Sequence, residues 1–142
     1  MKNIDKPLDN IAEIFAANKT IAVVGMSQYS YKAAHSVPMF FKAEGYDVIP
    51  VNPNSDEING LKCYDSIHEV DSRIDIVNVF RPSSDAEFVL RDVLRRRYER
   101  GDVRVLWLQE GIFTEEGARL CAEAGINYIE NKCMYKEYFS KG

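Results

Sequence analysis

Long apolar runs are missing from this sequence. Nothing in it approaches the ~20 residues that span a bilayer, and the N-terminal Met1-Lys2-Asn3-Ile4-Asp5-Lys6 lacks the apolar stretch of a secretory signal. No membrane partner is expected. Cysteine is scarce: Cys63, Cys121 and Cys133 are too few and too widely spaced for a disulfide framework, so reduced thiols and a cytoplasmic location are expected. The only histidines, His35 and His68, stand in no Cys/His cluster of zinc spacing, and no metal ligands are assigned. Basic charge is not in excess either. With 18 Lys and Arg against 22 Asp and Glu, the formal net charge is −4, which argues against a nucleic-acid partner. An anionic ligand must then be held locally, by backbone amides and a few cations. Neither a Gly-x-Ser-x-Gly elbow nor a Gly-Lys-Ser/Thr phosphate loop occurs, and no catalytic residue is assigned.

What is present is a regular alternation of apolar strands and amphipathic helices. The 142 residues, 46% of them apolar, suit one domain over 1–142 with a single core. Leu8, Ile11, Ile14 and Phe15 recur at helical spacing and predict a helix over about 8–18. Thr20-Ile21-Ala22-Val23-Val24-Gly25 reads as a buried strand ending in a tight turn. A helix containing Pro38 follows, and the proline requires the first turn or a kink there. Further strands are expected at about 46–51, 74–80, 103–109 and 126–130, with Leu61 to Tyr64 as an edge segment. Capping-box spacing at Ser66 to Glu69 and at Ser84 to Glu87 marks two helix starts. The second of these helices runs to about Arg100, and its Arg95-Arg96-Arg97 is expected to be a solvated face. A further helix is expected after Thr114, ending at Gly125, and a last one over about 134–140.

This order implies an α/β fold: a three-layer, doubly wound, Rossmann-like arrangement with a mainly parallel five-stranded sheet, in the expected order 3-2-1-4-5. Ligands of such sheets bind beyond the carboxyl ends of the strands, where strand order reverses. The expected site is therefore built from 25–32, 52–54, 80–82, 109–112 and 131–133. After the first strand, turn amides and a helix N-terminus favour a phosphate. A dinucleotide fingerprint needs three glycines and an acid about 20 residues on. Here Gly25-Met26-Ser27-Gln28-Tyr29-Ser30 supplies one glycine, and Asn52 and Pro53 stand near where the acid would be. NAD(P) is thus disfavoured as a ligand, though an NAD(P)-dependent oxidoreductase or redox-sensing domain stays in play.

Gly25-x-Ser27, Val48-Ile49-Pro50-Val51-Asn52-Pro53, Val77-Asn78-Val79-Phe80-Arg81, Leu106-Trp107-Leu108-Gln109-x-Gly111 and Asn131-Lys132-Cys133 occur in the order and spacing of a known family. Over about residues 11–133 the chain resembles the small stand-alone coenzyme A-binding proteins, which look like the nucleotide-binding domain of the succinyl-coenzyme A synthetase alpha subunit. The resemblance implies a Rossmann-like fold and coenzyme A or an acyl-coenzyme A as ligand. It implies that Gly25 admits a phosphate to the backbone, that Ser27 contributes a hydroxyl, and that Lys32 pairs with phosphate, with Gln28 and Ser30 in the same turn. It further implies that Asn52 and Pro53 border the adenosine, that Phe80 and Arg81 face the crevice, and that Gln109, Glu110 and Gly111 line the pantetheine arm. Ala34, Ser36 and Asn131-Lys132 depart from the serine, arginine and Asp-Arg common at those places.

Bland roles compete at each position. Ser27 and Ser30 suit turn capping, Lys32 suits a solvated surface, Arg81 suits a local ion pair, and Trp107 suits the core. The synthetases place their phosphorylated histidine in a further domain. The expected function is therefore non-enzymatic binding, as carrier, sensor or subunit. A detached acyl-coenzyme A ligase subunit with a separate catalytic partner is the other reading, and a homodimer is also compatible.

Overall fold

The computed structural model describes residue 8 and residues 10–140. The expectation for Met1 to Lys6 lies outside them. Helix α1 (Ile11–Ala17) opens where the Asn10 side chain accepts the Glu13 amide, and it buries Ile14 and Phe15. Strand β1 (Thr20–Val24) follows, then α2 (Ala33–Ala43) and β2 (Asp47–Val51). A small hairpin of β3 (Glu57–Ile58) and β4 (Leu61–Lys62) and a 3-10 turn at Ile67–Glu69 lead to β5 (Ile76–Val79). Helix α3 (Ser83–Arg100), β6 (Val105–Leu108), α4 (Gly117–Glu123), β7 (Asn127–Ile129) and α5 (Met134–Ser140) complete the order.

The α/β class holds: five parallel strands form one sheet with helices on both faces. Strand residues alternate between the two faces. Ile21, Val23, Ile76, Val105 and Trp107 pack toward α1, α2 and α5, whereas Ala22, Val77, Val79, Leu106 and Leu108 pack toward α3 and α4. On the first face, Phe15 stacks on Phe41 at 5.7 Å and meets Tyr138 edge-on at 5.1 Å.

The strand order differs from the expected 3-2-1-4-5. The sheet runs β2-β1-β5-β6-β7, so the third of the five long strands returns to the other side of the first. Pro50 supplies the physical reason. Its carbonyl points away from β1 and accepts the Tyr64 amide at 3.0 Å, and Asn52 N–H donates to Tyr64 O at 2.8 Å. The N–H that proline lacks would also point to that outer edge. A full strand paired there would lose a ladder bond, so proline belongs on an edge strand. The segment through Tyr64 covers the edge instead, with a single parallel bridge to Val51.

Other expectations are corrected in detail. Pro38 lies inside α2, and the Ala34 carbonyl that it leaves without an intrahelical donor accepts the Ser27 amide at 3.1 Å. The N-cap of α3 is Pro82, with no side-chain cap, and Glu87 accepts the Glu115 amide instead. Arg95-Arg96-Arg97 is not a solvated face. Arg96 is 1% exposed, pairs with Asp102 at 2.9 Å, and donates to the carbonyls of Val70 and Ser72 at 2.9 Å and to that of Ile67. It ties the long β4–β5 connection to α3. Its position is in phase with Ala86, Val89 and Val93 on the buried side of that helix.

Candidate functional site

Strand order reverses between β1 and β5, because the chain leaves β1 for β2 on one side and returns to β5 on the other. The loops after β2, β1 and β5 meet there. They enclose a crevice of about 170 Å³ lined by Val24, Gly25, Val51, Asn52, Pro53, Asn54, Asp65, Arg81, Asp85 and Val89. Four of the predicted residues, Gly25, Asn52, Pro53 and Arg81, are thus brought together. The valines and Pro53 give apolar walls, and polar groups stand among them.

Gly25 is needed for two reasons. Its φ is +86°, and a Cβ there would lie 2.7 Å from Arg81 Cδ and 3.1 Å from the Phe80 carbonyl oxygen. The Arg81 stem therefore lies directly over the turn. The guanidinium donates to Asp85 Oδ2 from Nε at 3.2 Å and from Nη2 at 2.6 Å, an i,i+4 pair across the first turn of α3. Asn52 braces the crevice. Its Nδ2 donates to Met26 O at 3.0 Å and its Oδ1 accepts the Asn54 amide at 2.9 Å, fixing the β1 loop against the β2 loop. Phe80 is half-buried, and its amide donates to Val24 O at 2.9 Å.

The β1–α2 turn forms a second polar region. Ser27 Oγ accepts the Tyr29 amide at 3.0 Å, which leaves its own proton to donate. The Ser27 carbonyl lies 2.7 Å from Nδ1 of the buried His35. The Gly25 and Ser27 amides are taken by Val51 O and Ala34 O, so neither is free for a phosphate. At the start of α2 the Lys32 amide donates to Tyr29 O, and those of His35 and Ser36 donate to Lys32 O. The amides of Ala33 and Ala34 have no acceptor among the described residues, as expected for a helix N-terminus. Gln28, Ser30 and Lys32 are exposed. Lys32 Nζ sits 5.7 Å from the Tyr29 ring, and the Tyr29 and Tyr31 rings, 50% and 80% exposed, lie 5.9 Å apart.

The β6 loop stands apart from the crevice. Gln109 is 6% exposed; its Oε1 accepts from the Met134 amide at 3.0 Å and from Asn78 Nδ2 at 3.4 Å, so it anchors the start of α5. Glu110 pairs with Lys136 at 3.1 Å, and the Gly111 amide donates to Asn131 Oδ1 at 2.7 Å. All three cysteines are buried. Burial pushes the Cys121 thiol up to about 12 and raises that of Cys63. Sequence reasoning missed Asp65 and Asp85. The i,i+4 spacing of Arg81 and Asp85 on a helix start was a usable signal; Asp65 arrives only through the Tyr64 bridge to Val51.

A family model described as a CoA binding domain matches residues 19–138. The Bacillus subtilis protein YneT is 39% identical over 124 residues, covering 87% of this chain and 88% of YneT. A solved structure described as a hypothetical protein from Pyrococcus horikoshii superposes with a TM-score of 0.85 at 30% identity, covering 99% of this chain and 96% of that one. The ADP-forming acetate–CoA ligase II of Archaeoglobus fulgidus is 28% identical over 120 residues, which is 83% of this chain and 17% of the ligase. The match over 19–138 and the near full-length likeness to YneT show that this chain belongs to the CoA binding domain family.

Proposed function

We propose that this chain is a single-domain module that binds coenzyme A or an acyl-coenzyme A at the β1/β5 switch point and performs no chemistry by itself. The observation that carries this reading is the adjacency of two complementary regions. One is the walled crevice of about 170 Å³ beneath Arg81. The other is the turn holding Lys32, the Ser27 hydroxyl and the unpaired Ala33 and Ala34 amides. Whole ligand sites commonly measure ~300–1,000 Å³, so the crevice suits one moiety of a larger ligand. Its valine and proline walls suit the adenosine end. The α2 N-terminus suits a diphosphate, by amide donation and helix dipole, with Lys32 as a point charge. The pantetheine arm would then leave across the exposed Glu110 and Gly111, while Gln109 acts beneath it as a structural anchor.

Calorimetric titration with coenzyme A tests the assignment. Saturable one-site binding is expected, weakened by Lys32→Ala and by Arg81→Ala, each by about tenfold, the value of one charge-assisted hydrogen bond of ~1.5 kcal/mol. Unchanged affinity in both variants would remove these residues from the site. A second reading, a detached subunit of an acyl-coenzyme A ligase, is favoured by the match to only 17% of the Archaeoglobus ligase. Recovery of a tagged chain in stable complex with a larger acyl-coenzyme A ligase chain would favour it, and recovery of the chain alone would count against it.

A further inference from the structure

We infer that the ligand carries an apolar acyl group of several carbons, and that this group lies on a platform of three aromatic rings between α2 and α5. This deepens the ligand reading above and rests on it for the coenzyme A part of the ligand. Tyr135 and Phe139 of α5 are 42% and 64% exposed, and Phe40 of α2 is half-buried beside them. The three rings meet pairwise, with centroids 4.9 Å apart for Phe40 and Tyr135, 5.4 Å for Phe40 and Phe139, and 5.0 Å for Tyr135 and Phe139. The core beneath is closed without them, by Phe15, Phe41 and Tyr138. Phe40 stands edge-on against that layer, 5.2 Å from Phe41 and 5.5 Å from Tyr138, so the platform is seated on packed rings. Clustered rings left at a surface mark a contact site.

The fold sets this platform within reach of the ligand. Helix α5 starts at the strand-end face, because Gln109 Oε1 accepts the Met134 amide at 3.0 Å and Trp107 Nε1 donates to Lys132 O at 2.8 Å. Tyr135 lies in the first turn of α5. Its neighbour Lys136 pairs at 3.1 Å with Glu110, across which the pantetheine arm would leave. On α2, Ala33, Ser36 and Phe40 share one side at spacings of three and four, so the rings begin about 10 Å along that helix from the Ala33 amide. Ala33 and Ser36 are small and exposed and raise no barrier between the two. An arm held by its diphosphate at the α2 N-terminus thus brings its acyl end to a surface of ring faces and edges. An acetyl group has one methyl to bury there. A longer chain can lie across all three rings, and each methylene taken from water strengthens binding.

The test is calorimetric titration of the native chain, Phe139→Ser and Phe139→Leu with coenzyme A, acetyl-coenzyme A and octanoyl-coenzyme A, at concentrations where the octanoyl ester stays monomeric. One methylene taken fully out of water is worth about fourfold, and the octanoyl ester adds several. The native chain is therefore expected to bind it at least about fivefold tighter than the acetyl ester. Phe139→Ser should cut that preference by about threefold or more, and Phe139→Leu should keep most of it. Phe139 is 64% exposed, so both variants should fold, which thermal midpoints without ligand will check; Tyr135→Ser replaces Phe139→Ser if that variant does not. A native preference below fivefold, or one that no ring substitution moves, overturns the inference and leaves coenzyme A binding intact. So does a dimer in sedimentation that Phe139→Ser dissociates, which would assign these rings to a second copy of the chain. Failure of the native chain to bind any of the three ligands overturns both readings.

Discussion

Gly25 is where backbone conformation and side-chain packing make the same demand. At φ +86° a side chain is disfavoured by roughly 1–2 kcal/mol, and the Cβ of an alanine would also press on Arg81 Cδ at 2.7 Å. Gly25→Ala should therefore lower stability by at least ~1 kcal/mol in chemical denaturation and weaken ligand binding by displacing the guanidinium. An unchanged midpoint would show that the turn relaxes freely. Asp75 contributes to acid stability. Burial alone would raise its carboxyl, but the amides of Lys19 and Thr20 and the Arg73 guanidinium more than offset this and hold it below the ordinary 3.8. The folded state thus favours the ionised form. Its contribution is complete above about pH 4 and fades as pH falls through the depressed folded value. Asp75→Asn should lower stability at pH 7 and show a flatter loss as pH falls below about 4 than the native chain; parallel acid limbs would contradict this assignment.

Among the elements, α2 has the most unusual construction. Pro38 removes one helical donor, and the Ala34 carbonyl it leaves is used by the Ser27 amide. In Pro38→Ala the new amide competes for that carbonyl. The helix should hold or gain stability, since alanine is the better helix former, while the β1–α2 turn loosens. Coenzyme A affinity is expected to fall about two- to tenfold, the range of one hydrogen bond of ~0.5–1.5 kcal/mol. A variant that binds as tightly as the native chain would separate the turn from the ligand. The strands and most helix limits were legible in the sequence because continuous apolar runs and glycine stops are local signals. The role of Arg96 was not read from three adjacent arginines, because adjacency says nothing of helical phase. Its spacing of three from Val93 and the acid at Asp102 carried the information. The bonding of Gln109 was likewise not read from the sequence. It shares the face of Trp107, two residues earlier on the same strand line, and so turns under α5 toward Met134.

At the scale of the whole molecule, the sheet order decides what can meet. With β5 beside β1, the Arg81 stem lies over Gly25; with β5 beyond β2, the two would be separated by a strand. The sequence carried this choice in one residue, Pro50, whose missing N–H faces the outer edge of β2. Strand-end logic expected the loops after β1, β2 and β5 to come together, and they do meet at one crevice. Their charge balance was not legible, because Asp65 reaches the crevice through pairing of a distant edge segment. Among the described residues no helix is long and apolar enough to cross a membrane.

A coenzyme A module built on this switch point should take coenzyme A in preference to a nicotinamide dinucleotide. Thermal denaturation with coenzyme A, acetyl-coenzyme A, NAD, NADP and ADP at matched concentrations tests it most directly. A ligand present at about 100 times its Kd adds ~2.7 kcal/mol, a shift of several degrees for a chain of this size. A raised midpoint is expected with coenzyme A or its acetyl ester and none with NAD or NADP. A midpoint raised by NAD or NADP but not by coenzyme A would contradict it and move an oxidoreductase or redox-sensing role to the front.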